Sequence, residues 1–262
     1  MVSATKGGSV GSPNKKNNHE WVPAQFKPEP LQHVRNSQEM ATTLANEENR
    51  KKSVREYSIR EEVFNSVTHG LGAALAIAAI PLCTVVAVGD GGGLTLAAAL
   101  IYSIFMFLEY TMSTLYHAIQ ADGAKRVFKV LDHSFIYLFI AATYTPYCLV
   151  TLAGGHGVAL CIFVWAVALI GVAAEAFWVF RPRWISAVLY LLLGWSIIAF
   201  IPELYALLDP AGFWLLLAGG LCYSVGCIFY VLKKVPYMHS LFHLWVLAGS
   251  ICHFFSIILF VL

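Results

Sequence analysis

His239 and His243 stand four residues apart in His239-Ser-Leu-Phe-His243. On a helix that spacing stacks two imidazoles on one face, about 6 Å apart. Such a pair can grip one ion at the roughly 2.0–2.1 Å that zinc prefers, or it can be a pair of interfacial histidines. Glu109, Ser113 and His117 are also spaced by four and draw a polar stripe along an otherwise apolar stretch. With His117 added, three histidines from two helices, a carboxylate at Asp132 and the Ser113 hydroxyl have the composition of a one-ion zinc centre that keeps a fourth position for water. In that reading Asp132 orients the water and accepts its proton, while Ser113 hydrogen-bonds the water or a developing oxyanion. Ser-His chemistry at Ser113 and His117 is weaker, because the sequence has no nucleophile elbow or oxyanion-hole motif. The other account is a satisfied buried polar network supporting a helix bundle. Composition and periodicity do not choose between metal site and network.

The elements that must carry these residues are membrane spans. Hydrophobic residues make up 58% of the 262, charged ones only 12%, and the mean hydropathy of +0.68 is far from that of a soluble domain. Seven apolar stretches, 66–88, 94–118, 130–152, 157–180, 184–205, 211–232 and 239–262, are each long enough to cross a hydrocarbon core as a helix. Apolar residues run continuously rather than alternating, which disfavours a β-barrel. The expected fold is therefore all-α, a seven-transmembrane helix bundle over 56–262. Residues 1–55 are polar, carry GSP, NKKNN and KPEP, and read as a disordered cytosolic tail, with a short amphipathic interfacial helix over Ser53–Asn65 near its end. Lys and Arg alternate there with Glu and no aromatic-basic module occurs, so nucleic acid is not an expected partner; the tail either meets a protein partner or is dispensable.

Charge sets the expected orientation. Beyond residue 62 the seven Lys and Arg are Lys125, Arg126, Lys129, Arg181, Arg183, Lys233 and Lys234, all in alternate connections. GDGGG, LAGGH and ELYALLDPAG, between them, have none. The positive-inside rule then puts the N-terminus in the cytosol and the C-terminus outside, in a multi-pass protein of the cell membrane. His69, His117, Asp132, His239 and His243 fall at one depth near the cytosolic ends of their spans. His69, Glu109, Glu175 and His253 are candidates for a cavity or for a polar layer behind the metal ligands. His253 lies ten residues past His243, about 15 Å along the helix, and so outside the same ion's reach. It reads as a buried hydrogen-bonded histidine or the inner end of a cavity, with Gly249 admitting close packing. Glu175 either pairs across the bundle or lines a cavity, and His133 reads as interfacial or packing. His156, Glu203 and Asp209 read as solvated outer ends. Pro146 should kink span three, Pro202 should end span five, and the six cysteines read as packing residues.

Ser113-Thr-Leu-Tyr-His117, Leu131-Asp132-His133-Ser134 and His239-Ser-Leu-Phe-His243, followed by Gly249 and His253, closely resemble the motifs of the hemolysin III family. That family sits with the adiponectin and progestin receptors in the PAQR superfamily and more distantly resembles alkaline ceramidases. The resemblance runs from about residue 56 to 262 and includes Glu61, Glu62 and Ser66-Val-Thr-His69-Gly70. It implies zinc at His117, His239 and His243, with Asp132 and Ser113 near its water, and seven helices with a cytosolic N-terminus. The receptor branch looks like zinc-dependent lipid amidases acting on ceramide; the hemolysin branch is named for cytolysis. Three functions follow as expectations: hydrolysis of an amide or ester in a membrane lipid such as a sphingolipid at the cytosolic leaflet; a receptor or stress protein with structural zinc; or a channel-like cytolysin. The tail of about 50 residues departs from the compact bacterial pattern.

Overall fold

The computed structural model describes residues 35–36, 38–44, 56–90, 92–232 and 234–262. These fall in two units, one within Met1–Lys52 and one within Ser53–Leu262. In the first, residues 38–44 are helical and exposed, and Arg35 pairs with Glu39 one turn on. The expectation of disorder over 1–55 otherwise lies outside the described residues.

The second unit is built of helices, with no strand among the described residues. They are α1 Ile59–Asp90, α2 Gly93–Ala118, α3 Asp122–Pro146, α4 Gly157–Trp178, α5 Arg183–Gly194, α6 Ile201–Leu207, α7 Pro210–Val231 and α8 Met238–Phe260. A π-helical turn, Tyr147–Thr151, prolongs α3, and a 3₁₀ segment, Ser196–Phe200, joins α5 to α6. Seven segments are long and apolar enough to cross a membrane, α5 to α6 counting as one. Consecutive helices α1 to α4 pack on one another, α7 packs on α8, and α8 returns to α1. Large apolar side chains such as Ile77, Ile170, Phe177 and Leu192 face outward, as a bundle solvated by lipid requires.

Several boundaries differ from the hydropathy reading. Of the interfacial helix expected over Ser53–Asn65, residues 53–55 lie outside the described residues; among those described, α1 runs unbroken from Ile59 into the span. Ser58 starts it with a capping box: the Glu61 backbone N–H donates to Ser58 Oγ at 3.3 Å, and the Ser58 N–H donates back to Glu61 Oε2 at 3.0 Å. The third span begins at Asp122 rather than 130, since Lys125 and Lys129 are buried against carboxylates instead of marking a solvated loop. At Pro146 the helix widens into the π-helical turn, in keeping with the missing N–H of proline. Pro202 does not end the fifth span. It occupies the first turn of α6, where an absent N–H costs nothing, and the span continues to Leu207. The interruption lies instead at Trp195–Phe200.

Small residues let the helices approach. A Cβ at Gly249 would fall 2.8 Å from the Tyr223 ring, and one at Gly219 would fall 2.1 Å from the His253 imidazole. All six cysteines are free. At the end opposite the basic connections, His156 pairs with Glu203 at 3.2 Å and Asp209 caps α7 by accepting from the Ala211 N–H at 2.8 Å.

Candidate metal centre

His117 ends α2, and His239 and His243 occupy the first turns of α8, so the connections carrying the basic residues bring all three to one end of the bundle. All three are buried, and their ligating nitrogens lie within 4.8 Å of one another. His239 Nε2 stands 3.3 Å from His117 Nε2 and 3.1 Å from His243 Nε2. Donors at 2.0–2.1 Å from a tetrahedral ion are separated by about 3.3–3.4 Å, so these spacings suit one small ion.

The outward nitrogens support the same reading. His117 Nδ1 meets Glu62 Oε2 at 2.6 Å, and His243 Nδ1 faces the Asn65 carbonyl at 3.3 Å. A neutral imidazole has one donor and one acceptor, so donating from Nδ1 leaves a lone pair at Nε2 on both rings. His239 Nε2 lies between those lone pairs and can donate to only one of them. A cation at the common point satisfies all three, which a self-contained hydrogen-bond network does not. The buried three-histidine group can therefore hold a metal ion.

Spacing alone gives Glu62, Lys125 and Asn65 no role behind these histidines. Glu62, buried on α1, bonds His117 through Oε2 and pairs through Oε1 with Lys125 Nζ at 2.9 Å. Lys125 is itself buried, donating to the Tyr116 carbonyl at 2.7 Å. Asn65 Oδ1 accepts from Ser240 at 2.6 Å, tying α1 to the turn that carries both α8 histidines. The signal spacing offers is a polar stripe of the kind noticed on α2, with Glu62, Asn65 and His69 three and four apart.

A cavity of about 130 Å³ opens beside the cluster. His69, Glu109, Asp132, His239 and His243 are among its polar lining residues; Phe139, Ile140 and Val246 are among its apolar walls. His69 stacks on His243 with ring centroids 3.6 Å apart. Glu109 and Asp132 are buried and near enough to interact, and Ser113, buried behind the cavity wall, interacts with the Asp132 carboxyl. His253 reaches the same cavity and bonds the Leu216 carbonyl at 3.0 Å, so both readings of that residue describe it. Glu175 is not part of this wall. It pairs locally with Arg181, six residues on and just past the end of α4, and reaches other helices at His133 Nδ1, 3.6 Å away, and the Tyr190 hydroxyl, 3.4 Å away.

Residues just ahead of α1 cover the cluster. The Tyr57 ring stacks on His239 at 4.6 Å, and its hydroxyl accepts from Arg183. Burial pushes the Tyr57 phenol well above its ordinary value, against the pull of Arg183, so the hydroxyl stays protonated. Glu61 adds a clasp: its Oε1 accepts from the Tyr237 N–H at 2.8 Å, where Tyr237 adopts a left-handed φ of 61° to start α8.

No solved structure matches the chain. The pattern of the family described as "Haemolysin-III related" matches residues 57–254. Hemolysin-3 of Bacillus cereus is 43% identical over 204 residues, covering 78% of this chain and 93% of that protein. The Hemolysin-3 homolog of Bacillus subtilis is 40% identical over 204 residues, 78% and 96% of the two chains. The human monocyte to macrophage differentiation factor is 24% identical over 165 residues, 61% and 68%. With seven membrane spans and a match over most of its length, the chain is a multi-pass membrane protein that belongs to the haemolysin-III related family, within the PAQR superfamily.

Proposed function

We propose that the chain is a zinc-dependent hydrolase that cleaves an amide or ester bond of a ceramide-like membrane lipid. The observation that carries this reading is that His239 and His243 of the three-histidine cluster line a largely apolar cavity together with Asp132 and Glu109. His117, His239 and His243 are the residues that would hold the ion. When bound, zinc supplies a Lewis acid that polarises a carbonyl and makes water a nucleophile at neutral pH.

The chain's own groups provide the rest. The Asp132 carboxylate takes the proton of the water that attacks the lipid carbonyl, then returns it to the departing nitrogen or oxygen as the acyl bond breaks. Ser113 orients that carboxylate, and Glu109 extends the polar wall. Phe139, Ile140 and Val246 keep bulk water away from the acyl chain and favour an apolar substrate. The basic connections support a cytosolic N-terminus, and with that orientation the cavity would open near the cytosolic leaflet.

Reconstituted protein supplied with N-acylsphingosine should release free fatty acid. Asp132→Asn should retain zinc while its turnover falls by about 10²-fold or more, because the amide keeps the size of the side chain but cannot accept that proton. His239→Ala and His243→Ala should each lose both zinc and turnover. Normal turnover by Asp132→Asn would remove the general-base role. Zinc retained without any turnover on amide or ester lipids would make the site a structural one.

A further inference from the structure

A second cavity, of about 300 Å³, also reaches His239 but has a different character. Its walls carry Lys129 from α3, Arg181 from the connection after α4, and Arg183 from the start of α5. Glu175 neutralises Arg181. Burial alone would lower the Arg181 pKa, but Glu175, Tyr137 and Tyr190 outweigh it and hold the guanidinium above its ordinary value. Its Nε, though buried, meets no hydrogen-bond partner.

Lys129 and Arg183 share a single carboxylate. Glu56 gives Oε1 to Lys129 and Oε2 to Arg183, and among the described residues no other carboxylate is in salt-bridge contact with either. Both cations are held on helices and braced by aromatic faces: Lys129 lies 4.5 Å from the Phe180 ring centre and Arg183 5.1 Å from that of Tyr57. Glu56 comes instead from the non-helical segment ahead of α1. Two cations fixed on helices and bridged by the two oxygens of an acid from outside them have the layout of an anion site filled by the chain itself.

We propose that Lys129 and Arg183 form a phosphate-binding site that Glu56 occupies in this structure, and that a phosphate-bearing ligand binds by displacing it. A carboxylate has one oxygen for each cation. A phosphate supplies those two and a third, and Arg181, whose Nε has no hydrogen-bond partner, lines the same cavity. Displacement of Glu56 also removes polar contacts that hold down the segment carrying Tyr57, whose ring covers His239. The site thus couples anion binding to the cover over the histidine cluster. This inference goes beyond the hydrolase reading and does not depend on it, since binding, not turnover, reports it.

The test uses the detergent-purified full chain and three probes: lysophosphatidate, lysophosphatidylcholine and inorganic phosphate. Glu56→Gln should bind lysophosphatidate at least roughly tenfold more tightly than the natural chain, because a charged competitor has been removed. Lysophosphatidylcholine, whose phosphate is screened by choline, should gain little. Adding Lys129→Gln or Arg183→Gln to Glu56→Gln should abolish the gain. Inorganic phosphate that competes with lysophosphatidate supports the site and assigns it to free phosphate; phosphate without effect supports a lipid headgroup. Equal gains for both lysolipids, or a gain that survives loss of Lys129 and Arg183, would overturn the proposal. If Glu56→Gln does not fold, hydrogen exchange on the natural chain decides: lysophosphatidate should speed exchange of the amides at 56–58, and unchanged protection at saturating ligand would equally overturn it.

Discussion

Glu62 holds the His117 edge of the histidine cluster. It fixes the His117 tautomer and ring orientation from behind, and Lys125 fixes it in turn. Glu62→Gln keeps the shape but loses the charge, so zinc affinity measured by chelator competition should fall by about 10–100-fold. His253→Ala should leave that affinity nearly unchanged, because its imidazole is engaged with the Leu216 carbonyl of α7 rather than with the cluster. At this scale His117, His239 and His243 were legible because helical spacing and polarity coincide at them. Glu62 falls within the family resemblance, but its role is not legible because it adjoins Glu61 at the start of a helix and spacing does not separate the two. Only the packing of α1 against α2 and α8 separates their roles: Glu61 clasps the Tyr237 backbone at an exposed edge, while Glu62 turns inward to His117. What Asp132 and Ser113 do chemically cannot be read from spacing, since the same pair suits a proton relay and a packing contact.

The elements were legible in number but not in their ends. Hydropathy places the first span at 66 because Glu61, Glu62 and Asn65 are polar, yet α1 starts at Ile59 since those side chains find partners within the bundle. The same cause moves the third span back to Asp122. Contact between elements also sets which glycines matter. Gly219→Ala drives a methyl group into the His253 ring on the facing helix, and the melting temperature of the purified protein should fall in line with a loss of about 1–3 kcal/mol. Gly89→Ala, with open space around the new methyl near the end of α1, should raise it, by the equivalent of about 0.5–1 kcal/mol from helix propensity alone. Equal effects at the two sites would mean that helix propensity, not interhelical contact, governs both. The left-handed Tyr237 is invisible to any periodicity, because its backbone is set by Glu61, far off in sequence.

For the whole molecule, the seven spans follow from apolar length, while the side of the membrane follows from charge alone. In a background without the native cysteines, single cysteines at Gly91 and Lys234 should be labelled from opposite faces, Lys234 from the cytosol; labelling of both from one face would overturn the orientation. The fifth span carries a consequence at this scale. Between α5 and α6 the backbone leaves the α-helical pattern inside an apolar segment, where each unmet peptide group costs several kcal/mol. The Tyr144 hydroxyl answers that demand from α3: it donates toward the Leu193 and Gly194 carbonyls at 3.1 and 2.6 Å and accepts from the Ile197 N–H at 3.0 Å. One phenol thus does for this stretch what a water molecule does in a soluble protein. Gly194 and Trp195, at the interruption, also wall the cavity beside the histidines. Tyr144→Phe therefore dehydrates the break, and its amides at 195–198 should exchange faster with solvent deuterium while zinc content stays unchanged. With Ser196, which also donates to the Leu193 carbonyl, this phenol solvates the shape of the chamber, and its width is tunable from a residue outside the histidine cluster.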